Sequence, residues 1–266
     1  LSELGPEPTQ VLTEPPNQHY LQSYPTTRQF LDAYQEYRRL PSDEALRARA
    51  DDIMEGRVSY EGLFFQHDAA NGNYDDLPYG KGFQGPSLRY RKVEKLEHDP
   101  LFRAWLENPV FRQVAQPVLG QDVFLLRAML MTKPPLGGTP LPWHQDAGRF
   151  WGVLPAPKLQ LWTALDDASR EAGCLEVFPG SHHEGLATLQ GGVVPKAIVA
   201  AKDADARAVP LPARAGEVIL IHNLMWHRSS INTTTHTRRG FSACFVDAET
   251  KCTRTRKAPR QFERVF

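Results

Sequence analysis

His144, Gln145 and Asp146 form a short x-His-x-Asp-x run, and a run of this kind is extended. Side chains two apart on a strand leave the same face, so an imidazole and a carboxylate stand side by side. A distant second histidine, His227, placed on a neighbouring strand would complete a face of two histidines and one carboxylate. Such a face holds non-haem Fe(II) and leaves the opposite coordination positions open for oxygen and substrate. The requirement constrains the fold, because two segments far apart in sequence must become adjacent strands.

The text around His227 supplies those strands. Gly216-Glu217-Val218-Ile219-Leu220-Ile221 is a turn residue followed by an apolar, β-branched run, which reads as a buried strand leading to His227. A turn-rich stretch from Asn232 to Thr237 follows, and Arg238 to Phe245 alternates as a returning strand. The two strands are expected to form a hairpin. Phe241, Ala243 and Phe245 share one face of the return strand and suit packing under helices, whereas Arg238, Gly240, Ser242 and Cys244 share the other, which suits a pocket wall. A guanidinium aimed into a buried pocket must be paired, so it implies an anionic ligand. The distal carboxylate of a dicarboxylic cosubstrate such as 2-oxoglutarate fits that need. Taken alone, either Arg238 or Arg239 also suits a solvated turn.

Five blocks in this order resemble the phytanoyl-CoA dioxygenase family of Fe(II)/2-oxoglutarate-dependent oxygenases: Met129 to Pro135, Trp143 to Asp146, Trp162 to Asp167, Gly173 to His182, and Ala215 through His227 and Asn232 to Arg238. The resemblance runs from about Met129 to Phe245. It implies a mainly β fold with flanking helices, a double-stranded β-helix (jelly roll, cupin-like) carrying helices on its major sheet. It implies that His144, Asp146 and His227 are the iron ligands and that Arg238 binds the 2-oxoglutarate carboxylate, with Arg239 as the fallback if the turn is one residue longer. Met129, Trp162 and Ser229 match positions that line the cosubstrate site in the family. The implied reaction consumes O2 and 2-oxoglutarate, releases succinate and CO2, and hydroxylates, or else cyclises, epoxidises or desaturates, a small-molecule substrate. Asp146 argues against halogenation, because family halogenases replace this carboxylate with a small residue.

Composition narrows the partners. With 266 residues, 41% hydrophobic, and a formal net charge of zero, the chain can bury a large core and reads as one domain with elaborations. Basic residues are scattered and are not interleaved with aromatics, so no nucleic-acid footprint is expected. The same scatter disfavours a phosphate-rich acyl-CoA and favours a small polar metabolite or natural-product intermediate. No stretch approaches the ~20 apolar residues that cross a bilayer, and no apolar leader opens the chain. Three irregularly spaced cysteines, Cys174, Cys244 and Cys252, suit a reducing cytoplasm. Leu1 leaves room for an upstream segment, and Arg264-Val265-Phe266 is not a Ser-Lys-Leu type of address. Oligomeric state is not legible.

The chain is expected to divide into an extended or flexible arm over residues 1–25, with five prolines, and an oxygenase domain over residues 26–266. Within that domain the spacing predicts a helical front (26–120), a jelly-roll back (121–250) and a solvated tail (251–266). In the front, Thr26 or Thr27 caps a run with Phe30, Ala33, Tyr34 and Tyr37 on one face. Ser42 opens a helix ending near Gly56, Asp99-Pro100 starts another, and Asn108-Pro109 restarts a helix that stops at Gly120.

Other residues invite a role. Arg149, Phe150 and Trp151, with Tyr60, Phe64, Phe65, His67 and Tyr79, are candidate pocket residues or core aromatics. His182, His183 and His222 read as structural, Asp166-Asp167 as capping residues, and Gly137-Gly138 and Gly191-Gly192 as loops. The segment from Glu184 to Arg207 is a candidate lid. Two rival readings stand beside the oxygenase: a jelly-roll binding module without catalysis, and a cupin-type metalloenzyme with His182 or His222 as a third histidine ligand.

Overall fold

The computed structural model describes residues 10–12, 42–58, 62–78, 82–255 and 260–266. The elements in chain order are β1 (Gln10–Leu12), α1 (Ser42–Met54), β2 (Phe64–His67), β3 (Tyr90–Glu94), α2 (Pro100–Leu106), α3 (Pro109–Leu119), β4 (Val123–Lys133), β5 (Leu141–Gln145), β6 (Val153–Leu154), β7 (Leu159–Ala164), β8 (Leu175–Val177), β9 (Gly192–Val193), α4 (Lys196–Ala201), β10 (Val209–Leu211), β11 (Val218–Ile221), β12 (His227–Ser229), β13 (Arg238–Asp247), β14 (Lys251–Cys252) and β15 (Glu263–Arg264).

Two facing sheets make a jelly roll. The major sheet runs β1-β11-β7-β13-β4-β3-β2, with β15 also on β4, and the minor sheet runs β10-β8-β12-β5-β9. Every named strand pairing is antiparallel, so each strand can present one face to each side. Alternation along β7, β11 and β13 sorts the core into two layers. Leu161, Leu220, Phe241, Ala243 and Phe245 pack outward with α2 and α3, while Trp162, Ala164, Ile219 and Ile221 face the minor sheet. Phe102 of α2 meets Phe241 at a ring distance of 4.8 Å. The helices stop and start where their caps predict. The Asp99 side chain accepts from the N–H of Leu101 and Phe102, the Asn108 side chain from that of Val110, and proline occupies the first turn of both α2 and α3.

Three expectations need correction. The front is not purely helical, because β2 and β3 extend the major sheet through Lys92↔Met131 and Phe65↔Val93 pairing. The C-terminal segment is not a solvated tail throughout: β14 pairs β6, β15 pairs β4, and Phe266 is buried against Phe245. Gln10–Leu12, inside the stretch read as an arm, forms a strand on β11. The rest of that arm, the run from Thr26 to Tyr37, and Tyr60 and Tyr79 lie outside the described residues. No helix among the described residues is long and apolar enough to cross a membrane.

Candidate metal centre

The hairpin expected between the two strands around His227 does not form. The buried strand β11 pairs β7 and β1 in the major sheet, whereas His227 crosses over to the minor sheet on β12. There it is the direct antiparallel partner of His144 on β5. The two rings lie 3.9 Å apart, and the Nε2 atoms of His144 and His227 lie 3.8 and 3.6 Å from the Asp146 carboxylate. Among the described residues this is the one grouping of three potential ligands, all within 4.8 Å of one another. Each Nδ1 faces a backbone carbonyl at 2.9 Å, His144 to Pro142 and His227 to Met225. A carbonyl only accepts, so the Nδ1 atoms carry the protons and both Nε2 lone pairs point inward. Two neutral imidazoles and a carboxylate, oriented in this way, fit a divalent metal.

The three groups differ in their electrostatics: burial would lower His227, but the adjacent Asp146 outweighs it and raises His227 above its usual value. Burial, and then the neighbouring His227, lower His144 to a pKa of about 3. Burial alone would raise Asp146, but His227 and His144 outweigh it and hold the carboxylate below its usual range. Asp146 itself is clamped through its backbone. Its N–H donates to the Asn223 carbonyl at 3.0 Å, and Asn223 Nδ2 donates back to the Asp146 carbonyl at 3.0 Å.

The triad opens into a cavity of about 510 Å³ between the sheets, whose wall also carries Met129, Trp162, Ser229, Arg238 and Ser242. Arg238 and Arg239 part company here. Arg239 turns outward, bonded by Asp166 at 2.7 and 2.9 Å and by Asp51 of α1, and so ties a helix to the sheet. Arg238 is 3% exposed, donates from Nη2 to the Gly173 carbonyl at 2.9 Å, and keeps a buried Nε with no hydrogen-bond partner. Burial lowers it to a pKa of about 10, so it remains charged at neutral pH. The indole Nε1 of Trp162 is likewise buried and unpartnered. Two orphaned donors on a cavity wall call for an acceptor, and an anion answers both. Gly240 makes room for this wall, since a Cβ there would sit 2.2 Å from Trp162.

Not every candidate converges. Phe150 and Trp151 line the cavity, and Phe64 lines a neighbouring one, but Phe65 and His67 pack against Tyr90. Arg149 makes a backbone bond to Leu189 at the surface. His182 packs at a tilt against His183 and His222, outside the His144-Asp146-His227 grouping, which removes the basis for a three-histidine cupin site. Asp166 pairs Arg239, and the Asp167 side chain accepts from Ala215 N–H. The segment from Glu184 to Arg207 is pinned and does not hang free over the cavity. Gln145, next to His144 on β5 and therefore on its opposite face, bonds Gly185 and Ala187, Trp143 bonds Asp205, and β9 pairs β5. Within it, Gly191, Gly192 and Val193 reach the cavity.

Sequence reasoning missed Gln66, Arg91, Lys92, Arg127 and Gln160, all on the cavity wall. Arg127 was findable, because it lies two before Met129 on β4 and shares its face. The premise that no basic cluster exists also falls: Arg127 of β4 joins the adjacent pair Arg91 and Lys92 of β3 on this wall.

The family model for phytanoyl-CoA dioxygenase (PhyH) matches residues 80–240. Phytanoyl-CoA dioxygenase domain-containing protein 1 of Danio rerio is 31% identical over 161 residues, covering 57% of this chain and 55% of that protein. Peroxisomal phytanoyl-CoA dioxygenase of Mus musculus is 27% identical over 221 residues, covering 79% and 62%. The chain thus spans little more than half the length of the first of these relatives. Among solved structures, the non-heme alpha ketoglutarate dependent carbocyclase SnoK from nogalamycin biosynthesis superposes with a TM-score of 0.59 at 22% identity, covering 79% of this chain and 76% of that one. EctD from S. alaskensis, with 2-oxoglutarate and 5-hydroxyectoine, gives 0.56 at 21%, covering 68% and 66%. At these identities the structural likeness is one of fold. The matched model covers more than half of the sequence, including all three clustered residues and Arg238, and by that match the chain belongs to the phytanoyl-CoA dioxygenase family.

Proposed function

We propose that this chain is an Fe(II)- and 2-oxoglutarate-dependent oxygenase that oxidises a small-molecule metabolite or natural-product intermediate. The observation that carries the reading is Arg238, a buried cation without a carboxylate partner, on the wall of the cavity that holds the two-histidine, one-carboxylate triad. Iron bound by His144, Asp146 and His227 would supply the chemistry by which O2 converts 2-oxoglutarate to succinate and CO2 and oxidises the substrate. The chain's own residues do the rest. Arg238 Nε and Trp162 Nε1 receive the distal carboxylate of 2-oxoglutarate, and Met129 and Ser229 shape the channel between that carboxylate and the triad. The Nδ1 bonds to Pro142 and Met225 hold both imidazoles in one tautomer and one orientation. Burial of Asp146, His227 and Arg238 keeps water from competing for these groups.

Hydroxylation is the reaction we assign first, with ring closure, epoxidation and desaturation open to the same site. The structural neighbours, a carbocyclase from nogalamycin biosynthesis and EctD with 2-oxoglutarate and 5-hydroxyectoine, suit a small-molecule substrate. Three unpaired cysteines suit a cytoplasmic setting. Calorimetric titration of 2-oxoglutarate into oxygen-free protein, with and without Fe(II), tests the reading. Saturable binding that needs Arg238 is the expected result, and no binding in either condition would remove the cosubstrate from the account.

A further inference from the structure

The metal cavity has an annex. Gln66, Lys92, Arg127, Phe150 and Trp151 are common to its wall and to that of a second cavity of about 430 Å³. The annex is lined by five Lys or Arg side chains against three Glu, so its field is positive. Two of those glutamates are already engaged, Glu94 by Lys92 Nζ at 2.7 Å and Glu263 by Arg103 at 2.6 Å. Arg127 Nη1 stands farther from Glu94, at 3.8 Å. The third glutamate, Glu97, keeps one carboxylate oxygen unpartnered, and against it stand Lys95, Arg254 and Arg260, for which no ion pair is seen among the described residues.

Three arginines gather around the loop that carries Phe150 and Trp151. Arg127 stacks on Trp151, its guanidinium carbon 4.0 Å from the ring centroid, and its Nε is buried without a hydrogen-bond partner. Arg260 donates from Nη2 to the Trp151 carbonyl at 3.0 Å and also keeps a buried, unpartnered Nε. Arg254 donates to the Phe150 carbonyl at 3.2 Å. Stacking satisfies the face of a guanidinium and leaves its N–H edge in need of an acceptor. A register shift between Cys244 and Phe245 on β13, opposite Leu125 and Arg127, marks a bulge in β4 that turns Leu126 toward Trp151, directly beside Arg127. Burial, and then the charge of Arg254, lower the pKa of Arg260 from its usual value, as expected of crowded cations. Arg238 lines the metal cavity and not the annex, Arg254 and Arg260 line the annex and not the metal cavity, and Arg127 lines both.

We propose that the primary substrate is an anion, a small molecule carrying a carboxylate or phosphate group, which seats that group against Arg127 and Arg260 in the annex and presents its reacting carbon to the metal cavity. The proposal rests on the oxygenase reading, because it treats the metal cavity as the place of reaction. Phe150, 62% exposed at the junction of the two cavities, is placed to cover the apolar body of such a molecule.

The test uses protein holding Fe(II) and saturated with 2-oxoglutarate, kept free of oxygen. It is titrated calorimetrically with hexyl phosphate, hexanoate and the neutral analogue hexanol. At least one anion is expected to bind more tightly than hexanol, and which of the two binds better names the source of the charge. Arg127→Gln and Arg260→Gln are each expected to weaken that binding about tenfold or more. If either variant loses its fold by thermal melting, Arg254→Gln, at an exposed position, carries the comparison with a smaller loss. Equal affinity for anions and hexanol, or anion binding unchanged in the folded variants, overturns the proposal. Failure of 2-oxoglutarate to bind at the outset would instead count against the oxygenase reading, and the anion titrations would still report on the annex.

Discussion

His144 and His227 are cross-strand partners, and each sends its Nδ1 proton to the backbone carbonyl two residues before it, Pro142 for one and Met225 for the other. The repeat of one local geometry on two strands aims both Nε2 atoms at the Asp146 carboxylate. Three protein ligands leave no redundancy in a half-open coordination sphere. His144→Ala, Asp146→Ala and His227→Ala are each expected to lose stoichiometric Fe(II) binding while retaining a cooperative thermal transition. Metal analysis after gel filtration reads the outcome, and a variant that still holds one equivalent would exclude that residue from the site.

Asn223 is fully buried and holds Asp146 through a reciprocal pair of backbone bonds. Replacing it with Ala removes the Nδ2 donor and leaves the Asp146 carbonyl unsatisfied. Because groups that orient ligands typically cost about 10–100-fold in metal affinity when lost, Asn223→Ala is expected to weaken Fe(II) by that order without abolishing it. An unchanged affinity in a competition titration with a chelator would show that the loop holds Asp146 unaided.

Arg238 and Arg239 separate affinity from stability. Arg238→Ala is expected to weaken 2-oxoglutarate binding at least about tenfold, the loss of a charged pair in a dry pocket. Arg239→Ala is expected to lower stability by about 1–2 kcal/mol, because it removes the guanidinium from Asp166 and Asp51 and leaves Asp166 only the backbone N–H of residue 239. Chemical denaturation and calorimetry on both variants resolve the two effects, and the reverse assignment would place the wrong arginine on the cavity wall.

These contrasts mark how far the sequence could be read. Period-two alternation located Arg238, Ser242 and the Phe241-Ala243-Phe245 face, because β13 is buried on both sides and every residue must commit to one of them. The His144-Asp146 pair was legible for the same reason, since parity is local. Long-range pairing was not. The partner of β11, the Asp166 and Asp51 bonds that remove Arg239 from the cavity, the Gln145 and Trp143 bonds that pin the expected lid, and the convergence of Arg127 with Arg260 each join residues tens to more than a hundred positions apart. No periodicity records such contacts. Strands β2 and β3 escaped because they are short and their burial does not alternate with period two.

Gly240 sits beneath Trp162, and the 2.2 Å that would separate a Cβ from the indole is too short for any side chain to share the space. Gly240→Ala is expected to push the indole off the cavity wall, at an overpacking cost of about 1–3 kcal/mol, and to weaken 2-oxoglutarate binding in the same variant. A stable variant with unchanged affinity would show that the sheet absorbs the methyl group elsewhere.

His182 and His222 are held neutral, each lowered from 6.5 to about 4, first by burial and then by the charge of neighbouring histidines. The unfolded chain therefore binds more protons than the folded one between about pH 6.5 and pH 4, so stability falls as the pH drops through that window. The double variant His182→Gln, His222→Gln is expected to show a shallower fall in thermal midpoint than the parent over the same range. Comparison with the parent cancels the contribution of His144, and parallel curves would mean that the two histidines are not buried as neutral groups.

The central claim is that the triad and Arg238 serve one reaction, and the most direct measurement is succinate formed from 2-oxoglutarate by the purified chain. The account predicts slow succinate release without substrate that requires both Fe(II) and O2 and is lost in Asp146→Ala. A binding module would hold 2-oxoglutarate and leave it intact. No succinate from protein shown to bind both Fe(II) and 2-oxoglutarate, or succinate formed equally well by Asp146→Ala, would contradict the account.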